Sequence, residues 1–286
     1  MATLAKAAPS DLIEVRQLSP MIGAEIGGID LREEQPDAVI ASIRQALLDH
    51  QVIFFRDQTI SAEQHIAFAR RFGPLEVHPA TPKDQPNPEV LRIAHGPNSR
   101  GTENFWHSDV TWRAEPSLGS ILRAIEIPAV GGDTLFSSMT AAYDALSPAM
   151  QDWVCSLTSV HDISRVFAAK LKTDRDELLA RFPLQEHPVV RTHPETGRRG
   201  LYVNTAFTSH IKGLSRKESD WLLEHLYSFA KLPEHQCRFV WAPNSIAFWD
   251  NRASQHYAAS DYFPAVRVME RVTVAGDRPF FNPAQA

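Results

Sequence analysis

The spacing of apolar residues along this chain changes several times, and each change marks an element. Between residues 11 and 31 short alternations are broken by Gly23 and the Gly27-Gly28 pair, which predicts an edge hairpin. After Pro36 the period lengthens: Val39, Ile40, Ile43 and Leu47 fall on one face of a helix lying against a sheet. The continuous run from Gln51 to Phe55 is rich in β-formers and predicts a buried strand. Ser61 with Gln64 makes a capping box for a second helix, its inner face carrying Ile66, Ala69 and Phe72 and its end set by Gly73-Pro74.

Strand patterns continue at residues 90–94 and 118–126, and a turn at Gly131-Gly132-Asp133 feeds another at 134–136. A helical stretch covers about 139–155. Residues 164–186 are charged and without strand pattern, and read as a helical insertion. Strands return at 188–192 and 201–203 around a turn at 194–197. Ser215 with Glu218 caps an amphipathic helix running to about Ala230. The last third alternates among strands at 237–241, 245–249 and 266–274. No repeat or linker divides the chain, so the expectation is one mainly β domain over 1–286 with flanking helices: a double-sheet jelly roll with its core at about 12–280. Residues 1–11 are expected to be flexible.

With 286 residues, 43% of them hydrophobic, the chain can bury a full core. Its formal charge of -5 leaves no basic stripe, which argues against nucleic acid as a partner and toward small-molecule chemistry. Cys155 and Cys237 form no metal, redox or disulfide pattern, as in a reducing cytosol. There is no signal-type apolar region and no run long enough to span a membrane, so a cytoplasmic protein is expected.

Candidate chemistry begins at Phe105-Trp106-His107-Ser108-Asp109-Val110-Thr111-Trp112. In a strand, His107 and Asp109 point the same way and offer half of a metal site. With 12 histidines in the chain, on the order of one such triplet arises by chance, so a strand histidine bonded to its neighbour is the alternative. In the final strand Arg267, Met269, Arg271 and Thr273 share one face, and Val266, Val268, Val272 and Val274 the other. If the apolar face meets the outer packing, two guanidinium groups enter the barrel, where they call for bound anions. The alternative is an edge strand with two exposed arginines. His256, just before that strand, is the candidate third ligand. His187 and His193 each precede proline in turn contexts and read as structural; His161, beside Asp162, has no spacing that marks it as a ligand.

Several motifs in order, Trp106 to Thr111, Gly131-Gly132-Asp133-Thr134, and Trp249-Asp250-Asn251-Arg252 through His256 to Arg267 and Arg271, resemble the taurine dioxygenase (TauD/TfdA) family. Ala24 to Asp30, Val52 to Arg56 and His187 to His193 extend the likeness over about 12–280. The resemblance implies a clavaminate synthase-like jelly roll and an enzyme that uses Fe(II), 2-oxoglutarate and O2 to hydroxylate a small organic anion. It implies iron ligation by His107, Asp109 and His256, and 2-oxoglutarate held by Arg267 and Thr134. It further implies substrate contacts from His78, Arg271, the Val110 amide and Phe207, and a dimer or tetramer. Where taurine users have tyrosine and asparagine this chain has Thr81 and Glu103, a departure that speaks against taurine and leaves alkylsulfonates, sulfate esters and aryloxyalkanoates. A metal-binding sensor and a zinc hydrolase are the readings of other classes; the second leaves the paired arginines unexplained. The Gly- and Pro-containing segment 96–104 before His107 is expected to be a mobile lid.

Overall fold

A computed structural model gives the arrangement of residues 12–78, 81 and 84–284; the stretch 1–11 lies outside the described residues. In chain order come β1 (Glu14–Gln17), β2 (Ala24–Gly27), α1 (Asp37–His50), β3 (Val52–Phe55), α2 (Ala62–Arg70), β4 (Leu75–Glu76), β5 (Leu91–His95) and β6 (Gly119–Glu126). Then follow β7 (Thr134–Ser138), α3 (Met139–Asp144), α4 (Pro148–Cys155), β8 (Thr158–His161), α5 (Ser164–Leu171), α6 (Arg175–Arg181), β9 (Gln185–Pro188), β10 (Val190–Thr192) and β11 (Arg199–Leu201). The last elements are β12 (Thr208–Ile211), α7 (Arg216–Ala230), β13 (Gln236–Phe239), β14 (Ile246–Asp250), β15 (Ser254–Ala258) and β16 (Arg267–Val274).

Local chemistry sets the helix ends. Ser61 and Ser215 accept from the amides of Gln64 and Glu218, whose side chains accept from the cap amides in return, so both expected capping boxes form. The helical stretch over 139–155 is two helices, because Pro148 holds Ser147 extended and supplies a first helical residue that needs no hydrogen-bond acceptor. Residues 164–186 hold α5 and α6 as expected, but their end is already strand β9. No helix among the described residues is long and apolar enough to cross a membrane.

The strands form an eight-stranded sheet in the order β1-β2-β3-β14-β6-β16-β4, with β5 also paired to β16, and a three-stranded sheet β13-β7-β15 faces it. Between them Phe54, Leu122, Trp249 and Met269 pack against Phe136, Phe239 and Trp241. The outer face of the large sheet is covered by α1 and α2, where Ile43, Leu47, Ile66 and Phe72 meet Phe248, Val272 and Val274. The final strand thus divides as its alternation predicts, with valines outward and Arg267, Met269 and Arg271 toward the inside. The two sheets do not close into one barrel. Cys237 is buried in the inner layer, which pushes its thiol up to about 12 and makes it inert.

One expectation is corrected. The stretch 105–112 is not a strand: His107 makes a single antiparallel bridge to His256, with N···O distances of 3.1 and 2.8 Å, and the chain then turns. The reason lies in the partners of the turn. The amide of Asp109 donates to Asn251 Oδ1 at 3.2 Å, Val110 takes φ +48°, and Arg113 N closes the turn on Val110 O at 2.9 Å. Side-chain acceptors replace the ladder that a strand would need.

Candidate metal centre and its two cavities

The bridge to β15 brings the two imidazoles together, and the turn swings the carboxylate in beside them. Asp109 Oδ1 lies 4.0 Å from His107 Nε2 and 3.9 Å from His256 Nε2, and the three side chains form a buried cluster whose ligand atoms all lie within 4.8 Å of one another. A single ion set among them would draw the three donors closer, since bonds of about 2 Å at right angles place ligand atoms about 3 Å apart. His107 Nδ1–H donates to Phe105 O at 2.9 Å, which fixes the tautomer and leaves Nε2 facing the cluster. Burial lowers the pKa of His107, and burial with the adjacent His107 ring brings His256 down to about 3, so both rings are neutral donors at neutral pH.

Asp109 is held from the other side of the fold. Ser120 Oγ on β6 donates to its Oδ2 at 2.9 Å, and Arg271 Nη1 on β16 to its Oδ1 at 3.1 Å. Burial works against its charge, but Arg271, the two histidines and the Ser120 hydroxyl more than reverse this and hold it well below the usual carboxylate range. Two neutral imidazoles and one fixed carboxylate, all buried, are the donor set of a facial triad for a divalent iron. That set is the observation by which the residues fit such an ion.

Two cavities meet at His107. One, of about 70 Å³, is lined by His107, His256, Leu122, Thr134, Trp249 and Arg267 among others. Arg267 is 5% exposed; its Nε donates to Gly132 O at 3.1 Å, while Nη2 is buried with no acceptor among the described residues. A buried guanidinium N–H without a partner is costly, and a carboxylate in this cavity would satisfy it. Thr134 Oγ1 accepts from Trp241 Nε1 at 3.0 Å, which leaves its own hydrogen available for an acceptor.

The other cavity, of about 180 Å³, holds His78, Glu103, Asp109, Val110, Phe207 and Arg271. His78, Val110, Phe207 and Arg271 therefore all line it. Thr81 lines neither cavity: it is buried, and its hydroxyl has no partner among the described residues. Glu103, from the segment expected to be a lid, lines both; its carboxylate accepts from Thr102 N at 3.0 Å and stands 3.5 Å from His95 Nε2. His187 and His193 are structural: Nε2 of the first donates to the carbonyls of Thr111 and Arg113, and Nε2 of the second lies 3.0 Å from Asp250 Oδ2.

The family model for taurine catabolism dioxygenases, the TauD, TfdA family, matches residues 14–273. The chain belongs to this family. Among curated TauD/TfdA proteins it is 35% identical over 287 residues to an alpha-ketoglutarate-dependent sulfate ester dioxygenase of Pseudomonas putida, covering 97% of this chain and 94% of that protein. It is 34% identical to an alkylsulfatase of Acinetobacter baylyi, covering 94% and 87% of the two chains. A crystal structure of a putative alpha-ketoglutarate-dependent taurine dioxygenase from Burkholderia xenovorans superposes with a TM-score of 0.84 at 40% identity, covering 96% of each chain.

Within this TauD/TfdA fold, several wall residues carry no signal in sequence. Val166 and Phe167 reach the larger cavity from α5, and Trp112 from the turn after Val110. Tyr262 and Trp241 each place a ring 5.9 Å from the Arg267 guanidinium. The aromatic run Phe105-Trp106 and Trp112 around His107 could have marked that wall; nothing in the charged 164–186 stretch marks α5.

Proposed function

We propose that this TauD/TfdA protein is an Fe(II)- and 2-oxoglutarate-dependent dioxygenase that hydroxylates a small organic anion with an apolar body, a sulfate ester or sulfonate being the first choice. His107, Asp109 and His256 would hold the iron. Iron in that site supplies the O2 activation that converts 2-oxoglutarate to succinate and carbon dioxide and places the other oxygen atom on a substrate carbon.

The chain's own side chains divide the remaining work between the cavities. Arg267 and Thr134 take the distal carboxylate of the keto acid, fixing its other end at the metal site. Arg271, His78 and the Val110 amide face the anionic group of the substrate; no acceptor among the described residues takes that amide. Ile93, Phe105, Trp112, Val166, Phe167 and Phe207 give the body of the substrate an apolar wall and exclude water from it. Hydroxylation at a carbon bearing a sulfate or sulfonate group gives a product that collapses to a carbonyl compound and releases the sulfur-containing anion. Taurine would leave most of that wall against a polar amine, which is why an alkyl or aryl body is favoured.

The observation that carries this reading is the position of the three donors between the Arg267 cavity, where one buried guanidinium N–H has no acceptor among the described residues, and a second, largely apolar one. A keto-acid sensor would need only the first. The test is an anaerobic titration of Fe(II) and 2-oxoglutarate followed by an aerobic panel of alkyl sulfates, alkylsulfonates and aryloxyalkanoates. A visible charge-transfer band and succinate formed one-for-one with substrate loss are expected. Absence of the band sinks the iron assignment, and a strict preference for taurine sinks the apolar-body assignment.

A further inference from the structure

We infer that Thr111, clamped by His161, His187 and Asn204, is a positioning residue that sets the Val110 turn and the Phe207 wall against the substrate. This inference rests on the two-cavity reading above for what the turn presents, but its structural basis is separate. Thr111 is 1% exposed and lines neither cavity. Its hydroxyl and its carbonyl are nonetheless held by side chains from distant segments.

The directions of the hydrogen bonds follow from one backbone donor. Phe207 N donates to Asn204 Oδ1 at 2.9 Å, so the Asn204 amide must turn Nδ2 toward Thr111 Oγ1, 3.0 Å away. The Thr111 hydroxyl then gives its own hydrogen to His161 Nδ1 at 2.9 Å. His161 carries its proton on Nε2 and donates to Ser159 Oγ at 3.0 Å, and Ser159 donates to His187 O at 3.3 Å. His187 closes the clamp by donating Nε2–H to Thr111 O at 2.9 Å and Arg113 O at 3.0 Å. Burial keeps the His161 ring neutral, which this order of donors requires.

The clamp lies one residue from Val110, whose φ of +48° is costly for a β-branched residue and persists only where its surroundings hold it. Asn204 ties the same network to Phe207, and Asp162 N donates to Phe207 O at 2.8 Å, so both named walls of the larger cavity hang on one buried chain of hydrogen bonds. Asp109 is secured by Ser120, Arg271 and Asn251, none of which belongs to that chain. Loosening Thr111 should therefore disturb the substrate and spare the keto acid.

The test uses Thr111→Val, which keeps shape and removes the hydroxyl, beside Thr111→Ser, which keeps the hydroxyl. Hexyl sulfate and 2-oxoglutarate are titrated calorimetrically into the anaerobic Fe(II) protein, and succinate formed per hexyl sulfate consumed is measured in air. Thr111→Val is expected to weaken hexyl sulfate about 10-fold and raise that ratio while 2-oxoglutarate stays within about twofold; Thr111→Ser should stay near the wild type. Unchanged hexyl sulfate binding in Thr111→Val, or equal losses for both ligands, overturns the inference. Amide exchange over 109–113 reads the clamp with no ligand present: faster exchange in Thr111→Val is expected, and unchanged exchange overturns it. A wild type that exchanges slowly there yet ignores hexyl sulfate tells against the proposed substrate class and leaves the clamp to the exchange result. Should Thr111→Val fail to fold, Ser159→Ala breaks the far end of the same chain and should shift exchange and coupling in the same direction, by less.

Discussion

Arg267 and Arg271 leave the same face of β16 four residues apart, yet the walls they meet are of two kinds. Around Arg267 the cavity is made mostly by strands, with Leu122 from β6, Thr134 from β7, Trp249 from β14, His256 and Ala258 from β15 and Met269 from β16, and is completed by Glu103, His107 and the 259–262 segment. Around Arg271, β5 contributes Leu91 and Ile93, but His78, Glu103, Val110 and Phe207 come from turns and loops and Phe167 from the short helix α5. The guanidinium groups differ too. Each keeps one buried N–H with no acceptor among the described residues, Nη2 of Arg267 and Nε of Arg271, but Arg267 gives Nε–H to the Gly132 carbonyl whereas Arg271 gives Nη1–H to the Asp109 carboxylate. On the proposed reading, the site that accepts one unchanging cosubstrate rests mostly on paired strands, and the site that chooses a substrate is built where residues can change without disturbing a ladder.

The largest expected effect falls on the line where the two cavities meet. His256→Ala removes one of three donors and also the ring that packs at a tilt against Trp249, 4.8 Å between ring centroids. Since outer-shell changes alone cost about 10–100-fold in metal affinity, loss of a ligand should exceed about 100-fold, and the visible band of the anaerobic Fe(II)–2-oxoglutarate complex should vanish. A variant that retains the band would mean that the ion sits elsewhere, and the division into two cavities around it would fall.

Next in size is Arg267→Met. The charge-assisted hydrogen bonds of a carboxylate to this guanidinium contribute about 1.5–3 kcal/mol, so KM for 2-oxoglutarate should rise about 10- to 150-fold. KM for the organic anion should barely move. Equal rises in both would show that the strand-built wall is not dedicated to the cosubstrate.

How much of this was legible in sequence follows the same division. The period of two in β16 named both arginines, because one face of that strand is packed by valines and the other by the site. The two capping boxes were legible because each is a local exchange of hydrogen bonds within four residues. His107 and Asp109 were paired for the wrong reason: a turn carries them, held by Asn251 from a segment 142 residues away, and no local pattern announces such a partner. Strand β15 escaped because Ser254-Gln-His-Tyr-Ala258 has no apolar alternation; it is recognisable only by its pairing with β7. Val166 and Phe167 escaped because a short amphipathic helix in a charged stretch shows which face is apolar but not what that face covers.

A smaller effect is expected from Phe167→Ala. The Phe167 and Phe207 rings lie parallel within 7° with centroids 6.4 Å apart, so the helix contributes one of two parallel faces to the substrate wall. Removing it should raise KM for an alkyl sulfate about 5- to 30-fold, the loss of roughly 1–2 kcal/mol of apolar contact. KM for 2-oxoglutarate should be unchanged. No effect on either would show that α5 merely covers the cavity without touching what it holds.

The smallest effect is a flat one, and it sharpens the contrast in how each cavity attracts an anion. Burial, followed by the positive charges of Arg271 and Arg113, brings His78 down to about 4. Because its folded pKa lies below the ordinary value of about 6.5, the ring gains its proton only as pH falls toward 4. At pH 6 roughly 1% is charged, where an unshifted histidine would be about three-quarters charged. On the proposed reading His78 would meet the substrate as a neutral hydrogen-bond donor, and the positive charge at that end would come from Arg271. KM for an alkyl sulfate, whose own charge is constant over this range, should stay within about twofold from pH 8 to pH 6. A several-fold tightening toward pH 6 would mean that a charged imidazole joins Arg271, and the substrate cavity would then rival the Arg267 cavity as an anion trap.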